Sequence, residues 1–441
     1  MSLNIFASMT SNKQEQHNLW MLGLSSVMSS LAIPLYAGAT GTAFNAAYGI
    51  TPTISAMIVL PMRIVTLVTM ICSSAFIDRV RNRILFNAVT IVLSSLGGVS
   101  MLLRCLGPDS FRTVAGIATI EIIIGLPVAV VSSIRGGADA MVQCRVIHNA
   151  IRGRFWSIFG IISGLLGIPV GIYITCLLKN FNVRMANVLA VVPGMLFALL
   201  AGYFAMQAKE LPELQVQEKK EKEPFFTSIR KIITMPQFRI MMPANLMRSM
   251  GDGCVGYALL LAMQRYGLSQ EYAGYTQTLT SAAPFLGYVI LGLTLDRFGA
   301  AVVLPVTDLL MGLGMIFMVA IPYDIALPFT LPFIGNTLPY GVVFLIATGV
   351  YQVLLITECS AIPLAHYEVL PNDVMGAFSN VRLMLMNVAG MLSGTLAGLA
   401  LGYFSPASVF IVCAIIKVSA GILYSYGIIK LRKHNDTPAA A

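Results

Sequence analysis

The chain has 441 residues, 57% of them hydrophobic and 11% charged, with a formal net charge of +9 and a mean hydropathy of +0.81. Soluble domains carry about a quarter charged residues and about half apolar ones. The composition therefore argues against a soluble enzyme, and against disorder, collagen and coiled coil; a bilayer is the solvent for most of the chain. A basic excess can signal nucleic acid, but in a helical membrane protein it marks the cytoplasmic loops, and no nucleic-acid partner is expected. Seven cysteines are dispersed without a CxxC spacing, and the four histidines form no HExxH pair. Neither a disulfide framework nor a zinc site follows, and no metal or cofactor is expected.

A spanning helix needs about 20 mainly apolar residues. Twelve such runs occur, at 19–45, 52–76, 85–104, 112–134, 154–178, 185–207, 238–264, 272–294, 301–321, 339–360, 375–402 and 406–429. None alternates with period two, so a transmembrane barrel is not expected. Ala37-Gly38-Ala39 resembles a signal-peptidase site, but the apolar run before it is longer than a signal core, so it reads as a retained span. With the N-terminus in the cytoplasm, cytoplasmic segments hold nineteen Lys and Arg against five on the other side, which places both termini inside.

The long polar stretch runs from Gln207 to Pro236 and contains the mixed-sign run Glu218 to Glu223. Within it, Phe225, Phe226, Ile229, Ile232 and Ile233 could form a short amphipathic helix on the membrane surface. This linker divides the chain into an N-terminal six-helix bundle (1–206), a cytoplasmic linker (207–236), a C-terminal six-helix bundle (237–430) and a cytoplasmic tail (431–441). An internal repeat supports the division. Asp78-Arg79 closes the second run and Asp296-Arg297 the eighth, 218 residues later, while Gly153, Phe155, Gly167 and Gly171 match Gly376, Phe378, Gly390 and Gly394 at an offset of 223. Two places agreeing this closely imply two equivalent halves in parallel orientation. The glycines at 390, 394, 398 and 402, and at 160, 164, 167 and 171, lie on helix faces where small residues let backbones approach.

On these residues the chain resembles a transporter of the major facilitator superfamily over nearly its whole length. The superfamily motif Gly-x-x-x-Asp-Arg-x-Gly is well matched by Gly292 to Gly299; the first copy keeps Asp78, Arg79 and Arg83 but has Ser74 and Arg81 where glycines are usual. The resemblance implies an all-α polytopic membrane protein, twelve transmembrane helices in two six-helix bundles, and no enzymatic activity. It also implies gating by Asp78, Arg79, Arg83, Asp296 and Arg297, because a carboxylate at a helix end can accept hydrogen bonds from a neighbouring helix N-terminus.

Ionisable residues inside the spans are the sharpest signal, since each costs roughly 2.5–3.5 kcal/mol at mid-bilayer. They are Arg63, Glu121, Arg248, Asp252, Asp308, Glu358, Arg382 and Lys417. Arg248 and Asp252 are four apart on one helix and are expected to pair, with Asn245 on the same face. The resemblance puts spans 1, 4, 7 and 10 around a central cavity. Substrate binding is therefore expected at Arg248, Asn245, Tyr36, Ser29, Tyr351, Gln352 and Arg63, and proton coupling at Asp252, Glu121 and Glu358. Asp308 and Lys417, on spans usually peripheral to that cavity, read as structural or interfacial.

The resulting expectation is a secondary active transporter in a plasma or bacterial inner membrane, working as a monomer in the lipid bilayer. It would carry a small polar organic solute, anionic or zwitterionic, by proton-coupled symport. The alternatives are a drug or metabolite efflux antiporter, and a non-transporting assembly or sensor protein on the same fold.

Overall fold

A computed structural model describes residues 10–77, 80–212, 230, 232–319, 323–331, 335–369 and 375–436. In chain order its first helices are α1 (Lys13–Ala37), α2 (Ala39–Ala47), α3 (Pro52–Ile77), α4 (Arg83–Ser94), α5 (Leu96–Leu106), α6 (Val114–Val146), α7 (Asn149–Asn180) and α8 (Val183–Met206). There follow α9 (Pro236–Gly251), a 3-10 segment (Asp252–Tyr257), α10 (Ala258–Tyr266), α11 (Tyr272–Phe298) and α12 (Ala300–Val319). The strands β1 (Ile325–Leu331) and β2 (Gly335–Leu338) precede α13 (Tyr340–Val369), α14 (Met375–Ala400) and α15 (Pro406–Asp436). Among the described residues, eleven segments are long and apolar enough to cross a membrane. The run at 238–264 is interrupted instead, by the 3-10 segment between α9 and α10.

Local sequence explains where helices start and break. The Asn12 side chain accepts hydrogen bonds from the N–H groups of Gln14 and Glu15 and opens α1. Thr113 and Asn182 do the same for α6 and α8. The first run does not form one helix: it breaks at Gly38, where an added Cβ would sit 2.6 Å from the Pro34 carbonyl oxygen. The third run also breaks, between α4 and α5. There Ser94 and Ser95 donate to the carbonyls of Ile91 and Val92, each at 2.6 Å, so side chains compete with the helix for its own acceptors. The hairpin β1–β2 is antiparallel, pairing Ile325 with Leu338 and Ala326 with Thr337. It departs locally from the all-helical expectation, in a stretch where Pro328 and Pro332 oppose a helix.

The chain falls into two compact units. One comprises Met1–Ile50, Ile58–Glu221 and Ala273–Ala282, the other Thr51–Met57, Lys222–Tyr272 and Ala283–Ala441. In the first, α1 packs along α8 and α7, and α4 along α8 and α6, around a core that includes Leu19, Leu22, Val142, Phe155 and Phe159. In the second, α12 packs on α15 and α13, and α9 on α15 and α14, around Phe238, Met241, Phe378 and Tyr424. The repeat positions Phe155 and Phe378 are both fully buried, each in its own core. Outer faces stay apolar: Leu196, Leu199 and Tyr203 on α8, and Val412, Ile415 and Ile422 on α15, are each half or more exposed. Helices satisfy their backbones internally, so lipid can cover such faces without an unmet hydrogen bond.

Close helix approaches occur at the repeated glycines. In the first unit a Cβ on Gly167 would lie 2.7 Å from Ser281, and one on Gly171 2.2 Å from Thr278 Oγ1. In the second, a Cβ on Gly390 would lie 2.9 Å from Ser249 Oγ. The charged run at 218–223 and Phe225, Phe226 and Ile229 lie outside the described residues. Ile232 is buried in the second unit's core, and Ile233 is 44% exposed.

Candidate functional site: a buried charge cluster in the second unit

Five elements each deliver one charged side chain to the same place. Arg248 comes from the last turn of α9, Asp252 from the first position of the 3-10 segment, Asp308 from α12, Glu358 from α13 and Lys417 from α15. Two glycines make the approach possible. A Cβ on Gly251 would lie 2.9 Å from Lys417 Cβ and 3.0 Å from its Cα and N, and one on Gly253 would lie 2.8 Å from Ser393. The chain around Asp252 can thus lie flat against α15 and α14, as no residue with a side chain could.

The ion pairs are close and shared. Arg248 Nη2 donates to Asp308 Oδ2 at 2.6 Å, and its Nε lies 2.7 Å from Glu358 Oε1. Lys417 Nζ donates to Glu358 Oε2 at 2.7 Å and to Asp252 Oδ2 at 3.0 Å, and sits 3.7 Å from Asp308 Oδ1. Tyr351 donates its hydroxyl to Asp252 Oδ1 at 2.6 Å. The Arg248 guanidinium also stacks over the Tyr424 ring at 4.8 Å. Asp308 and Glu358 each touch both cations, whereas Asp252 pairs with Lys417.

Burial is unequal. The side chains of Arg248, Lys417, Asp308 and Glu358 are 0–3% exposed, and that of Asp252 is 29% exposed. Among these five groups three carboxylates face two cations, an excess of one negative charge when all are ionised, and the buried Arg382 of α14 stands nearby as a further cation. An uncompensated charge in a dry interior costs several kcal/mol. The arrangement is thus suited to taking up one positive charge, and the exposed edge is Asp252.

The first unit holds a different pair. Arg104 of α5 is 3% exposed and its Nη2 meets Glu121 Oε1 of α6 at 2.7 Å. Its Nη1 donates to Asn45 Oδ1 at 3.4 Å and its Nε to the Ser100 carbonyl at 3.4 Å. This pair borders a cavity of about 340 Å³ that Tyr36 also lines. A second, smaller cavity of about 160 Å³ is lined by Ser29, Arg135, Asp139 and Trp156, and there Arg135 donates to Ser29 Oγ at 2.8 Å.

The residues singled out from sequence therefore separate. Arg248, Asp252, Glu358 and Tyr351 come together in the second unit. Tyr36 and Glu121 share the first unit's larger cavity, and Ser29 its smaller one. Arg63 is half-buried on α3 of the first unit. Asn245 is fully buried but donates to the Met241 carbonyl of its own helix at 3.0 Å, and Gln352 is half-buried beside Tyr351. Of the gate residues, Asp78 and Arg79 lie outside the described residues, as does the side chain of Asp296. Arg83 opens α4, and the exposed Arg297 lies over the Phe298 ring.

Two expectations need correction. Arg248 and Asp252 do not pair, because Asp308 and Glu358 hold the guanidinium while Lys417 and Tyr351 hold the Asp252 carboxylate. Asp308 and Lys417, read as peripheral, are fully buried centres of the cluster. The signal was present: an apolar helix carries a charge only where something balances it, and these two are charges of opposite sign. Arg104, the last residue of the third run, is buried in α5, and Arg135, one residue past the fourth run, lies within α6, which continues to Val146. Among the described residues, no group of three or more His, Cys, Asp or Glu is placed to hold a metal ion.

No protein-family model matches the sequence, and no curated protein sequence matches it. Solved structures do. A point mutant of the nucleoside transporter NupG superposes with a TM-score of 0.66 at 10% identity, covering 94% of this chain and 99% of that one. A D-xylose–proton symporter gives 0.66 at 14% identity, covering 94% and 97%. A bacterial homologue of the human lysosomal transporter Spinster, inward-facing and unoccupied, gives 0.64 at 13% identity, covering 98% and 100%. The chain thus has the major facilitator fold, all-helical in its spans and multi-pass in the membrane.

Proposed function

We propose that the protein is a secondary active transporter that moves a small polar organic solute by alternating access and couples that movement to protons. The observation that carries the reading is the second unit's cluster, where three carboxylates face two cations and, of these five groups, Asp252 is the one that is partly exposed. A proton arriving at Asp252 removes the excess charge and loosens its bond to Lys417; losing the proton restores it. A buried network with two charge states, each favouring a different set of contacts, is the kind of element that protonation can bias. The nucleoside and xylose carriers named above support a transport role through their shared fold.

Within this reading the bundles are 1–206 and 237–430, joined by the cytoplasmic linker 207–236 and followed by the tail 431–441. Both termini are cytoplasmic, the membrane is a plasma or bacterial inner membrane, and the working unit is a monomer. Asp78, Arg79, Arg83, Asp296 and Arg297 gate access. The solute was expected to be anionic or zwitterionic, with Arg248 as its anchor, but two carboxylates hold that guanidinium, so the charge of the solute is better sought elsewhere.

The test is uptake into proteoliposomes with and without an imposed pH gradient. The wild-type protein accumulates its solute only with the gradient. Asp252→Asn retains solute exchange and loses accumulation, and Asp78→Asn exchanges slowly. Full accumulation by Asp252→Asn, or gradient-independent flux in the wild type, would overturn the coupling scheme.

A further inference from the structure

The first unit's larger cavity has a chemical character that neither the coupling cluster nor the fold assigns. It opens where the chain breaks at Gly38 and is bounded by α1, α2, α3, α5 and α6. At about 340 Å³ it falls at the small end of ligand pockets, which run from about 300 to 1,000 Å³.

Its ionic groups are balanced. Arg104 and Glu121 form one pair, and the three nitrogens of Arg104 are all engaged: by Glu121 Oε1, Asn45 Oδ1 and the Ser100 carbonyl. Two hydrogen-bonding groups in the wall remain uncommitted among the described residues. Ser100 is a residue of the cavity wall, 2% exposed, and its hydroxyl lies just beneath the surface with no hydrogen-bond partner. Glu121 is 27% exposed and uses only Oε1 on Arg104. A buried hydroxyl left unpaired costs about 1–3 kcal/mol, which is the mark of a partner that comes and goes. The Tyr36 ring supplies a flat apolar wall opposite Gly97, whose Cβ position would be 3.8 Å from it.

We propose that this cavity is the solute-binding subsite and that its ligand is a neutral, hydroxyl-rich molecule of monosaccharide size, an inference that rests on the carrier reading. The carboxylate oxygen of Glu121 accepts from ligand hydroxyls, the Ser100 hydroxyl turns about its Cα–Cβ bond to exchange a hydrogen bond with a third, and the ring face of Tyr36 covers the ligand's C–H surface. A charged solute is disfavoured for a simple reason. The site's own charges already cancel, so an anion or a cation would enter with nothing to balance it.

The experiment is thermal unfolding of the purified full-length protein in detergent, with D-glucose, D-xylose and D-glucitol as neutral probes and D-gluconate and D-glucosamine as charged partners of equal size. A ligand that binds the folded state raises the midpoint by mass action. Saturable upward shifts are expected with one or more neutral probes and none with the charged pair. Ser100→Ala is expected to weaken the half-saturating concentration about tenfold and Glu121→Gln about a hundredfold. Because the Ser100 hydroxyl has no partner in the fold, Ser100→Ala keeps or raises the unliganded midpoint, so a loss of ligand shift reports binding and not a damaged fold. Equal or larger shifts with gluconate or glucosamine, no shift with any neutral probe, or shifts untouched by Ser100→Ala would overturn the assignment. Polyol binding without transport would sink the carrier reading and spare the subsite. Proton-driven uptake of a charged solute would do the reverse.

Discussion

The two units contain ionic groups of opposite design. In the first, one arginine and one glutamate cancel beside a cavity, and the glutamate keeps contact with solvent. In the second, three carboxylates share two cations, all but Asp252 fully buried, and among these five groups cancellation is incomplete. The lesson is that buried charge can serve either to build a neutral polar surface or to store an imbalance. Which of the two a cluster does depends on its count and its exposure, not on whether its members form short salt bridges.

The comparison can be broken most forcefully by removing a cation from each place. Lys417→Met leaves the buried Asp308 and Glu358 and the part-exposed Asp252 with Arg248 as their one paired cation, and should lower unfolding stability by about 3–5 kcal/mol. Arg104→Met leaves a Glu121 that water already reaches, and should cost about 1–2 kcal/mol. Thermal unfolding of both variants in one detergent checks the order; equal losses would show that the clusters do not differ as described.

Next in size is a backbone test. Gly251→Ala puts a methyl against the backbone of Lys417, where α15 must yield, and should cost about 1–3 kcal/mol. Gly97→Ala adds the same methyl in ordinary contact with Tyr36 and removes a helical glycine, so it should be neutral or stabilising by up to about 1 kcal/mol. Denaturation midpoints of the pair report the difference; a harmless Gly251→Ala would mean that α9 and α15 can separate without disturbing the cluster.

The smallest effect is the most diagnostic, because its sign differs between the units. Asp252→Asn brings the second cluster to two carboxylates and two cations. It should change stability by less than about 1 kcal/mol, in the stabilising direction. Glu121→Gln strips Arg104 of its countercharge and should destabilise by about 1–2 kcal/mol. If Asp252→Asn proved the more damaging in the same unfolding assay, the excess negative charge would not exist.

Much of this architecture was readable in the sequence. Twenty-residue apolar runs, a polar linker and the Asp-Arg repeat are consequences of solvation, and solvation acts on composition. The glycine spacing likewise pointed to close helix contacts that the structure contains. The charged residues were legible as costly, which drew attention to Arg248, Asp252 and Glu358. Their partners were not legible. Pairing Arg248 with Asp252 weighed only neighbours on one helix, whereas the partners that hold both side chains come from α12, α13 and α15. Asp308 and Lys417 were set aside on the habits of a resembling fold, although their cost in an apolar helix was as high as that of the others. The hairpin at 325–338 was missed because a membrane-scale reading discards short segments between spans.

The tightened segment beneath Asp252 has one more consequence. Six residues advance by about 120° each in a 3-10 helix and about 100° in an α-helix, and rise about 2.0 Å rather than 1.5 Å per residue. Rewinding Asp252–Tyr257 would therefore swing α10 about 120° around its axis and draw it in by about 3 Å. A proton landing at the first residue of that coil sits where a small chemical event has the greatest mechanical leverage.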